Sequence, residues 1–343
     1  MDRRSELAAT LQELNRGARG LLAADESGAT IAKRFQAIGV ESTNETRRAW
    51  RSLLLATPGL SEYISGVILY DETLGQNDDA GTPLPQLAAR RGIVPGIKVD
   101  AGKIALAHAP GDEVTEGLDG LARRLEGYRR QGARFAKWRA VYNVGPGLPS
   151  RLALQANAEA LARYAAICQE QGLVPIVEPE VLMDGEHSIE RCAEVSEAAW
   201  HEVFAALHRH HVVLELMLLK PSMVVPGKAH PPPAPPAAVA SATVAVLRRC
   251  VPAAVGGIFF LSGGQTPSEA SANLCALNRL GPQPWPLSFS YGRALQEPVL
   301  NAWQGQAANV GAAQHALLKR ARLNSAARAG RYDATMETTP DSA

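Results

Sequence analysis

The chain lacks an excess of either charge. Its 343 residues carry 35 Lys+Arg against 34 Asp+Glu, a formal net charge of +1. That balance removes the broad attraction that holds a protein to nucleic acid or an anionic membrane, so any cationic site has to be local. Cysteine is scarce too. Cys168, Cys192, Cys250 and Cys275 stand far apart with no CxxC pair, which excludes a dense disulfide framework. They read as small buried hydrophobes of a reducing compartment. No apolar run approaches the ~20 residues that span a bilayer. No GxxxxGK[ST] or GxGxxG fingerprint occurs, so nucleotide binding through such loops has no support. No basic stretch interleaved with aromatics points to nucleic acid. The charged, amphipathic start MDRRSELAATLQELNRGARG is unlike a secretory signal, and the expected location is the cytoplasm.

What is present is a globular composition, 46% hydrophobic and 20% charged. Short apolar runs recur at residues 21–24, 66–70, 97–99, 135–140, 175–177, 212–219, 257–261 and 287–289. Their spacing leaves room for a crossover helix between parallel strands. Between two of them Leu154, Ala158, Leu161, Ala165 and Cys168 step by four and three, the stripe of an amphipathic helix. Thr266-Pro267-Ser268-Glu269 places a capping hydroxyl, a first-turn proline and a glutamate three residues after the cap. Eight strands alternating with helices predict a single (β/α)8 TIM barrel over residues 1–331, with a doubly wound sheet as the alternative. A short polar tail, 332–343, reads as mobile. Residues 230–236, His-Pro-Pro-Pro-Ala-Pro-Pro, are too proline-rich for helix or central strand and read as a surface loop.

The strands carry an anomaly. Asp25, Lys98, Lys137, Arg139, Glu178, Glu180 and Lys220 fall near the carboxyl ends of five apolar segments. One such residue is ordinarily a structural ion pair, and a lysine at a strand end ordinarily snorkels. Seven have to converge on one another or on a ligand, because lone buried charges are very costly. Alternation places Lys137 with Arg139 on one face, and Glu178 with Glu180. Lys220 ends a long apolar segment, where desolvation and neighbouring cations favour the neutral, nucleophilic amine. Ser262-Gly263-Gly264 after strand seven and Ser290-Tyr291-Gly292-Arg293 after strand eight occupy the two loops that form the recurrent phosphate site of such barrels. His208, His210 and His211 precede strand six and lie toward the opposite face, so no metal site is expected there.

Leu21-Leu22-Ala23-Ala24-Asp25-Glu26-Ser27, Gly96-Ile97-Lys98-Val99-Asp100, Phe135-Ala136-Lys137-Trp138-Arg139 and Val177-Glu178-Pro179-Glu180 together resemble class I fructose-bisphosphate aldolase. So do Leu218-Leu219-Lys220-Pro221, Phe260-Leu261-Ser262-Gly263-Gly264-Gln265 and Phe289-Ser290-Tyr291-Gly292-Arg293-Ala294, in the family's order. The likeness implies a homotetrameric, metal-independent, cofactor-free enzyme of glycolysis and gluconeogenesis acting on sugar phosphates. It implies that Lys220 forms the Schiff base and that Glu178 is its acid/base. Asp25 would take the proton of the hydroxyl whose carbon becomes the aldehyde. Lys137 would help protonate intermediates, with Glu180 hydrogen-bonded beside it. Ser262, Gly263, Gly292 and Arg293, in loops that also hold Gly264 and Ser290, would grip the phosphate next to the imine. Ser27, Thr30, Lys98 and Arg139 would receive the far end of the sugar and a second phosphate.

The chain departs from the family's pattern. It ends at Ser342-Ala343 without the usual longer tail and terminal tyrosine, and has Leu216-Met217 and Ser222 where Gly-Thr and Asn are usual. The leading expectation is reversible cleavage of fructose 1,6-bisphosphate. The alternatives are preference for a ketose monophosphate and a non-catalytic scaffold.

Overall fold

The computed structural model describes residues 2–338. Eight parallel strands close into a barrel: β1 Gly20–Ala24, β2 Ile64–Leu69, β3 Val94–Lys98, β4 Phe135–Tyr142, β5 Val174–Val181, β6 Leu218–Leu219, β7 Ile258–Phe260 and β8 Leu287–Tyr291. Each strand lies beside its neighbours in sequence, and β1 closes on β8 with Leu21 opposite Ser290. Helices cross between the strands and cover the outside, as the alternation of periods predicts. The doubly wound alternative is excluded by that closure.

Two cores result. Inside the barrel lie Leu21, Ile68, Phe135, Ile176, Leu218 and Phe259, and the amino-terminal helix Arg3–Leu14 adds Leu7, Leu11 and Leu14 to them. Leu14 is fully buried, so Leu14→Ala would cost about 2–5 kcal/mol. Phe135 fits because Gly96 on the next strand has no side chain; a Cβ there would sit 2.3 Å from its ring. The outer core fills the space between strands and helices.

Local signals explain the helices. Ser150 caps the helix Arg151–Gln171, whose buried stripe includes Ala158, Leu161, Ala165 and Cys168, and Gly172 ends it in the left-handed region at φ 79°. Thr266 and Glu269 form the reciprocal capping box of the helix Pro267–Arg279. The proline-rich loop ends at the helix Pro236–Cys250, whose first position is a proline.

Two expectations need correction, and one further element has no counterpart in the sequence pattern. Residues 212–219 read as one strand, but only Leu218–Leu219 are; Leu214–Leu216 form a 3-10 turn. The Gln169 amide takes over the backbone there, accepting from Val213 N–H at 2.9 Å and donating to its carbonyl at 2.8 Å. After β3 the chain also makes an antiparallel hairpin, Gly102–Ala105 with Glu113–Glu116, too polar and short for its pattern to announce. And residues 332–338 are packed against the barrel's helices. Tyr332 is 4% exposed and donates to Glu337 Oε1 at 2.9 Å, while Glu337 receives the Arg320 guanidinium at 2.6 Å. Residues 339–343, the rest of the tail expected to be mobile, lie outside the described residues. No helix among the described residues is long and apolar enough to cross a membrane.

Candidate active site

All seven charges on the five strands gather at one end of the barrel, around a pocket of about 500 Å³. Alternation does the sorting. Lys137 and Arg139 point inward from β4 while Trp138 between them packs outward on Tyr164, ring centroids 5.5 Å apart. Glu178 and Glu180 of β5 point inward beside them, with Arg139 opposite Glu178 in the strand register. Lys220 follows β6 directly, its backbone N–H bonded to the Val177 carbonyl at 2.8 Å, so its side chain is carried to the same floor.

Four side chains form a line of alternating sign. Lys220 Nζ is 3.2 Å from Glu178 Oε1, Glu178 Oε2 is 3.1 Å from Lys137 Nζ, and Lys137 Nζ is 2.7 Å from Asp25 Oδ2. All are buried or nearly so. Burial by itself would raise the Asp25 carboxyl, but Lys137 and then Lys220 outweigh it and hold the group well below the usual carboxylate range. Burial likewise opposes charge on Lys137, yet Asp25 and Glu178 raise it above an ordinary lysine. Asp25 is therefore a carboxylate and Lys137 an ammonium at neutral pH, and the Lys220 amine sits against one carboxylate rather than two.

One side of the pocket is built to take an anion. Gly263, in the left-handed region at φ 56°, turns the loop after β7, and Arg293 Nη2 donates to its carbonyl at 3.2 Å. Ser262, Ser290, Gly292 and Arg293 line the same side, where the helix Arg293–Trp303 begins. Ser290 Oγ is buried and has no hydrogen-bond partner among the described residues. Gly264 follows in the same turn, with its N–H directed at Met183 Sδ, 3.1 Å away, and the Lys228 side chain packed where a Cβ would stand.

The opposite side holds the other candidates. Ser27 caps the helix Gly28–Gln36 and its hydroxyl lies 3.1 Å from that of Thr30. Lys98 bonds the Asp100 carboxylate at 2.7 Å and the Asp100 carbonyl at 2.8 Å. Arg139 Nε donates to Glu180 at 2.5 Å. Here the structure differs from what the resemblance implied, since it pairs Glu180 with Arg139 instead of setting it beside Lys137. Burial disfavours the charged guanidinium, but Glu180 raises Arg139 above its ordinary value.

Asp100 and Glu26 also line the pocket, and no role for either is evident from the sequence pattern. Glu26 is buried next to Asp25 and receives Arg34 at 2.5 Å, Arg51 at 2.7 Å and Gln296 Nε2 at 2.8 Å. A carboxylate following a strand end was the available signal; Arg34 comes from the next helix, but Arg51 and Gln296 come from more distant ones that no spacing reveals. The histidines expected to hold no metal lie at the far side of β6, where His210 Nε2 is 2.7 Å from Glu159.

Comparison with known proteins agrees with this geometry. The family profile described as fructose-bisphosphate aldolase class-I matches residues 6–343. A probable fructose-bisphosphate aldolase class 1 of Xylella fastidiosa (strain 9a5c) is 53% identical over 328 residues, covering 95% of this chain and 98% of the relative. The cytosolic fructose-bisphosphate aldolase 4 of Arabidopsis thaliana is 52% identical, over 95% of this chain and 84% of its own. The fructose-bisphosphate aldolase of Plasmodium falciparum, solved with TRAP and a small-molecule inhibitor, superposes with a TM-score of 0.95. It is 50% identical, over 97% of this chain and 96% of that one.

Proposed function

Because this chain belongs to the class I fructose-bisphosphate aldolase family, its reaction is the reversible cleavage of fructose 1,6-bisphosphate, and we propose that Lys220 forms the imine. The carrying observation is Glu178, held between the Lys220 amine at 3.2 Å and the Lys137 ammonium at 3.1 Å. Carbon–carbon cleavage leaves a carbanion, and a protonated imine is the electron sink that turns it into an enamine. The Lys220 amine adds to the ketose carbonyl. Glu178, within hydrogen-bond reach of that amine, gives and takes the protons that release water. Asp25, already ionised, receives the proton of the hydroxyl whose carbon becomes glyceraldehyde 3-phosphate. The enamine left on Lys220 is protonated and hydrolysed as dihydroxyacetone phosphate. Ser262, Gly263, Ser290, Gly292 and Arg293 grip the phosphate beside the imine, and Ser27, Thr30, Lys98 and Arg139 receive the other end. Binding at both ends supplies energy remote from the bond that breaks.

The same reading makes the barrel with its packed carboxyl-terminal segment one domain and the enzyme a cytoplasmic homotetramer of glycolysis and gluconeogenesis; sedimentation of the purified chain tests the tetramer. The test of the chemistry is borohydride added with dihydroxyacetone phosphate. Irreversible inactivation with the adduct mapped to Lys220, and its loss in Lys220→Met, is the expected result. An adduct mainly on Lys98 or Lys137 would overturn the assignment.

A further inference from the structure

The hairpin after β3 brings a cation to the pocket that no motif singled out. Lys103 stands opposite Thr115 across the hairpin ladder, so their side chains share a face. Thr115 is buried on that face and donates from Oγ1 to the Arg139 carbonyl at 2.8 Å. Lys103 is thereby aimed at the pocket, which both residues line, while Ile104 turns away and is 45% exposed. The hairpin is braced, with Ala101 N–H on the Glu116 carbonyl at 2.8 Å and Asn157 Nδ2 on the Glu113 carbonyl at 2.9 Å.

The two cations assigned to the distal end each already hold a pocket carboxylate. Lys98 is bonded twice to Asp100, and Arg139 to Glu180. The Lys103 ammonium pairs with Glu113 at 2.7 Å, but the two side chains are 42% and 25% exposed. Such a pair is screened by solvent and readily exchanged, and a phosphate dianion offers it more charge. Seven cationic side chains line the pocket against five carboxylates, and Lys103 is one of that excess.

We infer that Lys103 is a specificity-determining residue, leaving Glu113 to meet the distal phosphate of a sugar bisphosphate. The inference rests on the aldolase reading above. It adds to Lys98 and Arg139 a cation that can meet the phosphate without unpairing a buried carboxylate.

Steady-state kinetics on fructose 1,6-bisphosphate and fructose 1-phosphate test it. Lys103→Met should raise KM for the bisphosphate roughly fivefold, the worth of one partly exposed charge contact. The rise for the monophosphate should be much smaller, kcat should change less than KM, and Lys103→Arg should restore the bisphosphate KM. Glu113→Gln, which frees the ammonium, should lower the bisphosphate KM. Equal changes for both substrates, or an unmoved bisphosphate KM, would overturn the role of Lys103. Borohydride trapping on Lys220 is run beside the kinetics. If the unmodified chain gives no adduct, the aldolase reading fails and the inference with it; if the adduct forms and KM does not discriminate, the inference alone fails.

Discussion

Lys137 holds Asp25 at 2.7 Å in the floor of the pocket, and the two shift each other's titration in opposite directions. The depressed Asp25 contributes stability that is complete above its unfolded value near 4 and is lost as pH falls through its folded value. The raised Lys137 contributes stability present below about 10.4 and lost as pH rises through its folded value. Between those limits the pair's contribution is flat. Asp25→Asn leaves a buried ammonium short of a partner and should destabilise by about 3–5 kcal/mol. Urea unfolding should show a constant gap between wild type and variant from roughly pH 5 to 9, closing in more acid solution. A gap that widens toward acid would reverse the assigned sign.

Glu178 should control the speed of imine formation more than substrate affinity. Its Oε1 is the carboxylate oxygen 3.2 Å from the Lys220 amine. Glu178→Gln keeps the shape and removes the proton shuttle, so kcat should fall about 10²–10⁴-fold, the usual worth of a positioned acid/base. Imine formation followed by rapid quench with borohydride should slow in step. A variant that forms imine at the wild-type rate would move the proton shuttle elsewhere.

Arg293 and Lys98 should divide the substrate between them. Arg293 lies on the side where Ser290 Oγ is buried without a partner among the described residues, so Arg293→Ala should impair the bisphosphate and a ketose 1-phosphate alike. Lys98→Ala should impair the bisphosphate more. Because it also unpairs the buried Asp100 carboxylate, it should lower thermal stability as well. Equal losses for both substrates in both variants would contradict the division.

The strands and their charges were legible because each is a local statement. An apolar run with a charge at its end, seen on Asp25, Lys98, Lys137, Glu178 and Lys220, requires a shared site whatever the rest of the chain does. What stayed hidden depends on partners far apart in sequence. Glu26 is paired with Arg51, 25 residues on, as well as with nearby Arg34, and accepts a hydrogen bond from Gln296 on a helix some 270 residues away. Glu180 was assigned beside Lys137 by family pattern, whereas the side chains on neighbouring strands gave it to Arg139. Lys103 was passed over because its hairpin, GKIA paired with EVTE, has neither the length nor the apolar alternation of a strand.

The carboxyl-terminal segment gives the prediction most particular to this chain. In the family, protonation of the enamine is expected to lean on a terminal tyrosine; here the last tyrosine is Tyr332. Its ring is buried, and its hydroxyl is bonded to Glu337, which raises the phenol well above its ordinary value along with burial, the larger cause. A phenol so placed is a poor proton donor, and reaching Lys220 would mean abandoning both its packing and the Arg320–Glu337 clasp. Deleting the residues after Tyr332 should therefore separate two effects. Arg320, 5% exposed, loses its carboxylate, so stability should fall by about 1–3 kcal/mol. Turnover and exchange of the dihydroxyacetone phosphate proton should stay nearly unchanged, because no group doing that chemistry has been removed. A large fall in proton exchange at temperatures where the truncated chain is still folded would show that the short tail takes part in the reaction.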